Sequence, residues 1–162
     1  MYSLLVCFNS FASIVVRDIT DYTFSSTNNM LSFDFNSDST DEFTFNFNQN
    51  TGLSCVFYTN PDLNFVTTGT FASSHGWDVM KSLPNNTLIN NASNFASQGD
   101  AYFNPGWAYA SEMFPVGDSY VGTKFKIGTN IYYGWILVNS TGGQTGIITV
   151  KSYVSSFTTL LM

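Results

Sequence analysis

Leu31, Phe33 and Phe35 occupy every second position of one stretch, and Phe43, Phe45 and Phe47 do the same in another shortly after it. Ser32 and Asp34 interleave the first set, while Thr44, Asn46 and Asn48 interleave and follow the second. Successive side chains point to opposite faces of a β-strand, so this spacing gathers each set of rings on one face. A helix would scatter them around its circumference. Two half-buried strands are therefore predicted, forming a Phe-faced hairpin around a polar acidic connection.

The same period recurs along the chain. Ile14-Val15-Val16 and the run from Asp21 to Phe24 read as short strands separated by Arg17-Asp18. Leu53 to Thr59 reads as another strand, after the turn signal Asn50-Thr51-Gly52. Between Asn60 and Gly117 the alternation loosens, and Pro61, Pro84, Pro105 and Pro115 among many Asn and Gly predict turns and long loops; Asp78 to Leu83 fits one helical turn or a short strand. Alternation returns at Tyr120, with strands from Tyr120 to Ile127, Ile131 to Asn139 and Thr145 to Val154. Tight turns at Gly128-Thr129-Asn130 and Ser140 to Gln144 join them into an antiparallel meander. Phe, Tyr, Thr and Val are abundant, whereas Ala, Glu, Lys and Leu are too sparse for long helices. A length of 162 residues with 44% hydrophobic content suits one domain with its own core. The expected fold is all-β: a single antiparallel β-sandwich, jelly-roll-like, over residues 13–162, with long loops in the middle of the chain.

Only 10% of the residues are charged, against about a quarter in ordinary soluble domains. Asn, Ser, Thr, Gly and Tyr provide the polar cover instead, as in Asn139-Ser140-Thr141-Gly142-Gly143. Five basic against eleven acidic residues give a net charge of −6, with no Lys/Arg cluster. A phosphate backbone or an anionic membrane surface would be repelled, which argues against nucleic-acid binding and against adsorption to such a membrane.

At the amino terminus, Leu4-Leu5-Val6-Cys7-Phe8 precedes the small residues Ser10 and Ala12. That pattern fits a secretory signal cleaved after Ala12, so residues 1–12 read as a signal-peptide remnant. No Lys or Arg precedes Arg17, and a first strand is the alternative reading. The run is too short to span a membrane. Removal of this segment would take Cys7 with it and leave Cys55 as a lone thiol buried on a strand.

Two stretches together resemble a family of secreted, β-rich bacterial proteins of largely unknown function, found in Bacteroidetes-type surface sets and among exported proteins with carboxy-terminal sorting tails. The first is Ile14 to Phe45, with its Ile-Val-Val-Arg-Asp-Ile opening and the D-x-N-x-D loop. The second is Tyr120 to Tyr153, whose Tyr132-Tyr133-Gly134-Trp135 strand is the most specific part. The resemblance implies export and a β-rich architecture; it implies no activity.

Asp34, Asn36, Asp38, Thr40 and Glu42 stand at positions 1, 3, 5, 7 and 9 of an Asp-x-Asn-x-Asp loop. Such alternation turns successive oxygens inward, with Thr40 contributing its backbone carbonyl, and a set of hard oxygen donors suits a structural Ca²⁺. Position 6 is Ser39 where Gly is usual, and position 9 is Glu42 rather than Asp. The competing reading is a polar turn whose Asp and Asn side chains bond their own backbone.

Trp77, Tyr102, Trp107 and Tyr109, with Phe103, lie in Asn- and Gly-rich sequence of the kind that stacks on sugar rings and bonds their hydroxyls; equally, such rings plug the ends of a sandwich. Trp135, mid-strand, belongs to the core or a sheet surface. His75 beside Ser73, Ser74 and Asp78 lacks a nucleophile elbow or oxyanion frame. The spacing of Asp100, Glu112 and Asp118 does not by itself define a glycosidase pair. Asn85, Asn91 and Asn139 begin N-x-S/T sequons, which matter only in a host that glycosylates them. The expected role is thus a secreted or cell-surface, non-enzymatic module for adhesion or binding to a surface protein or glycan, stabilised by Ca²⁺. A carbohydrate-binding module built on the loop aromatics is the alternative, and a hydrolase of unrecognised type the remoter one.

Overall fold

The computed structural model describes residues 14–25, 27–48, 54–59, 64–66, 80–96, 98–102, 114–127, 129–142, 147–156 and 160–161. Every regular element among them is a strand and every strand pairing is antiparallel, so the all-β antiparallel class read from the sequence holds. The strands are β1 (Ile14–Thr23), β2 (Met30–Phe33), β3 (Phe43–Asn48), β4 (Ser54–Thr59), β5 (Asn64–Val66), β6 (Leu88–Ile89), β7 (Phe95–Ala96), β8 (Gln98–Tyr102), β9 (Gly117–Ile127), β10 (Asn130–Ser140), β11 (Ile148–Ser156) and β12 (Leu160–Leu161). They form a six-stranded sheet in the order β1-β11-β10-β9-β5-β7, a four-stranded sheet β2-β3-β4-β8, and a two-stranded pair β12-β6. The signal-like segment 1–12, with Cys7, lies outside the described residues.

The Phe alternation does what its period requires. Phe33, Phe43, Phe45 and Phe47 are buried on one face of β2–β3, while Thr44 and Asn46 on the other face are half-buried. The rings meet the six-stranded sheet across a common core: Phe33 packs edge-on against Tyr153 at 5.4 Å, and Phe43 against Phe125 at 6.5 Å. Phe24, just after β1, lies 5.6 Å from Phe47. Edge-to-face and offset contacts of this kind add about 0.5–1.5 kcal/mol each beyond the area they remove from water.

The meander β9-β10-β11 is the longest continuous ladder, running from Asn130↔Ile127 to Ser140↔Gly117 on one side of β10. On the other side Leu137 pairs Ser152 while Val138 pairs Val150, so Lys151 is an extra residue and forms a β-bulge. A one-residue insertion reverses which parity faces inward. Ile148 and Val150 point into the common core before the bulge, and Tyr153 does so after it, with Val154 turned to the opposite face. Lys151 itself reaches the exposed Asp118 carboxylate at 2.9 Å.

Two expectations need correction. Ile14–Val16 and Asp21–Thr23 belong to one strand, β1, whose ladder with β11 carries an irregularity: four steps along β1, from Asp18 to Tyr22, match two steps on β11. The polar Arg17-Asp18 pair marks that irregularity rather than a strand end. The middle of the chain, expected to be long loops, also supplies β5 to β8; of these, β8 completes the four-stranded sheet by pairing with β4.

Gly134 explains the Tyr-Tyr-Gly-Trp sequence physically. A Cβ placed there would collide with the Val154 carbonyl oxygen, lie 2.7 Å from Thr123 Oγ1 and stand 3.2 Å from the Phe35 ring. Gly134→Ala is therefore predicted to cost about 1–3 kcal/mol through overpacking, measured as a lower urea midpoint; an unchanged midpoint would contradict this packing. Thr123 Oγ1 is fully buried without a hydrogen-bond partner. The isosteric Thr123→Val is predicted to hold or raise stability, by up to about 1 kcal/mol, in the same titration.

Candidate metal centre

The acidic loop joins β2 to β3, and the Phe33↔Phe43 pair closes its stem. Glu42 staples the loop from within. Its N–H donates to the Phe33 carbonyl at 2.8 Å, and its Oε2 accepts the Phe35 N–H at 2.6 Å. Phe35, although past the end of β2, is thereby turned into the core, where it stacks on Phe125 at 4.8 Å and packs edge-on against Tyr153 at 4.9 Å.

Asp34 organises the opposite end. Its Oδ1 accepts the N–H groups of Ser37 (2.5 Å) and Asp38 (3.2 Å), and its Oδ2 accepts that of Ser39 at 2.9 Å. Asn36 accepts the Asp38 N–H at 2.8 Å and donates its amide to Asp38 Oδ2 at 2.9 Å, while Asp38 Oδ1 accepts the Thr40 N–H at 2.8 Å. Short polar side chains bonding backbone a few residues on are what tight turns of this composition form. Ser37 and Ser39 take left-handed conformations, with φ of 63° and 70°. Ser39 thus adopts at position 6 the conformation for which Gly is usual.

Among the described residues, two hold the loop from the six-stranded sheet. Arg17 of β1 donates from Nη2 to Ser37 Oγ at 2.5 Å, and the Tyr153 hydroxyl of β11 donates to the Asp34 carbonyl at 3.3 Å. Within this frame one carboxylate oxygen each from Asp34, Asp38 and Glu42 lie within 4.8 Å of one another. A carboxylate has about four acceptor sites, so the N–H bonds leave room for a cation, and the donor set is of the hard-oxygen kind that suits Ca²⁺. Asn36 sits against Asp38 through both ends of its amide, and Thr40 is attached through its N–H. Asp34, Asp38 and Glu42 are the residues whose carboxylates converge.

The electrostatics separate these carboxyls. Hydrogen bonds from the Thr40 N–H and the Asn36 amide hold the exposed Asp38 below the ordinary carboxylate range. Burial, together with the charges of Asp34 and Asp38, pushes Glu42 above its own range despite the Phe35 N–H. Sequence reasoning placed Glu42 in the ligand set but did not foresee its role as a buried staple; its place directly before an inward-facing Phe is the trace of that role.

Among the described residues, none of the others singled out from sequence joins this loop. Trp77, Trp107, Tyr109, Phe103, His75, Ser73, Ser74, Asp78 and Glu112 lie outside the described residues. Tyr102 ends β8, paired with Ser54, and Asp100 belongs to the same strand. Asp118 lies on the other large sheet, where the amide of Asn139 at 2.6 Å and the ammonium of Lys151 at 2.9 Å keep its carboxyl below the usual range. Trp135 is half-buried on the outer face of β10, edge-on to Tyr120 at 5.1 Å. Among the described residues no helix is long and apolar enough to cross a membrane. Compared with family models, with curated proteins and with solved structures, the chain matches none.

A pH signature follows from Glu42. The folded chain keeps this proton to higher pH than the unfolded chain, whose carboxyl titrates near the ordinary 4.5. The group's contribution is complete below that value and lost as pH rises through the raised folded value. Glu42→Gln keeps an acceptor for the Phe35 N–H without the charge. In metal-free protein the stability difference is predicted to move in the variant's favour from about pH 4 towards neutrality, read from urea midpoints. A difference independent of pH would count against a desolvated, charge-crowded Glu42.

Proposed function

We propose that this chain is an exported, non-enzymatic β-sandwich module that acts by adhesion or binding at a bacterial cell surface, and that its Asp34–Glu42 loop takes a structural Ca²⁺. The observation that carries the calcium reading is the convergence of three carboxylates, from Asp34, Asp38 and Glu42, within 4.8 Å. Supporting it, Ser39 takes the left-handed turn such loops need, and Ser37 to Asp41 are exposed, leaving an approach from solvent. Export is supported by the signal-like segment, the sparse charge and the resemblance to secreted β-rich bacterial proteins. Extracellular calcium is high enough to fill a site with a Kd of about 10⁻⁴–10⁻³ M. The ion would stiffen the connection between two Phe-faced strands; the binding surface for a partner would lie elsewhere on the domain.

At free calcium tenfold above Kd, a single native-state site contributes about 1.4 kcal/mol, which raises the melting temperature of a domain this size by roughly 3–6 °C. That rise is expected in thermal melts with calcium relative to chelator, and its disappearance is expected in Asp38→Ala, whose exposed side chain can be removed without opening the core. Asp118→Asn, remote from the loop, should keep it. Identical melting of the parent protein with calcium and with chelator would sink the proposal.

A further inference from the structure

The outer face of the six-stranded sheet carries a second apolar cluster, separate from the common core. Tyr133, Val154, Tyr120 and Trp135 of its central strands meet Leu83, Ile89 and Phe95, the last of these on the edge strand β7 of the same sheet. These last three are pegs on one stretch, residues 83–96, whose intervening residues Pro84, Asn85, Asn86, Leu88, Asn91, Ala92 and Asn94 face solvent. Its side-chain hydrogen bonds among the described residues close its own two turns, from Thr87 to the Pro84 carbonyl at 2.7 Å and between Asn90 and Ser93 at 3.2 Å.

Among the described residues, the ties between this stretch and the other strands are few and short. Leu83 and Tyr120 exchange two backbone bonds, at 2.9 and 3.1 Å. β6 pairs with β12 over two residues, and β7 with β5 over two more. Phe95 adds a ring contact to Tyr133 at 6.1 Å and lies under the Lys124 ammonium at 5.2 Å. The β9–β10 ladder beneath, by contrast, runs unbroken over eleven residue pairs. Regions held by few apolar contacts and short ladders open at lower free energy than core strands, and they open as contiguous units.

We propose that residues 83–96, paired with β12 through β6, form a strap that lifts as a unit, taking the edge strand β7 off β5, while β1, β11, β10 and β9 and the four-stranded sheet stay folded, uncovering the aromatic face of Tyr120, Tyr133 and Trp135. Lifting withdraws Leu83, Ile89 and Phe95 together, because each peg packs into the same cluster. The face uncovered continues into the Asp118–Asn139–Lys151 group at the end of the same strands.

Native-state hydrogen exchange on the full chain tests this, with the mutually bonded amides of Leu83 and Tyr120 as reporters and the β9–β10 ladder amides as reference. The reporter amides should exchange at least tenfold faster than the ladder amides, with a clearly weaker dependence on added urea. Ile89→Ala, which removes one peg, should speed the reporters about tenfold further while the ladder amides change less than twofold. In a Trp77→Phe/Trp107→Phe background the same substitution should shift Trp135 emission to the red. Reporter and ladder amides that share one rate and one urea dependence, in the parent protein alone if the variant does not fold, would overturn the proposal.

Discussion

Aromatic rings on every second residue of β2 and β3 stay out of water only if a second apolar face meets them, and the six-stranded sheet supplies that face through Phe125 and Tyr153. Much of the rest is arranged around this contact. The bulge at Lys151 changes the parity of β11 so that Tyr153 points inward, and Gly134 leaves the space into which Phe35 fits. Phe35 extends the ring stripe beyond the end of β2, into the acidic loop. A residue whose backbone belongs to the loop thus has its side chain in the core, which makes loop and core one mechanical unit.

That arrangement places charge where it is costly. Glu42 is only 6% exposed, and the carboxylates of Asp34 and Asp38 lie close to it. Its bond to the Phe35 N–H offsets part of the burial and fixes the ring that stacks on Phe125. Under the proposed calcium occupancy the same three carboxylates change from mutually repelling neighbours to a shared ligand set. The stiffening would pass through Phe35 to the interface between the sheets.

The legible parts of the sequence were those where one chemical signal outweighs its context. The Phe alternation and the meander strands declared themselves because apolar side chains recur at alternate positions that face the common core, and the Asp-x-Asn-x-Asp spacing marked the loop whose carboxylates converge. The bulge was invisible, since Ile148, Val150 and Tyr153 read equally well as a strand of either parity until β10 sets the register. Gln98–Tyr102 carries no apolar alternation, and it becomes a strand because β4 offers it an edge. The left-handed turn at Ser39 ran against residue preference and is over-determined by the Asp34 carboxylate that accepts its N–H. The buried role of Glu42 was hidden because its partner is a backbone N–H, which every residue but proline possesses.

The central claim is that the acidic loop and the inter-sheet core are energetically coupled through Phe35. A double-mutant cycle between Glu42→Ala and Phe125→Leu, in metal-free protein at fixed pH, tests it most directly: the two side chains do not bond each other but act on the amide and the ring of one residue. Groups coupled through a shared partner show interaction energies of about 0.5–3 kcal/mol, and a value in that range is the predicted result. Additivity within about 0.3–0.5 kcal/mol would mean that the loop sits on the core without being part of it.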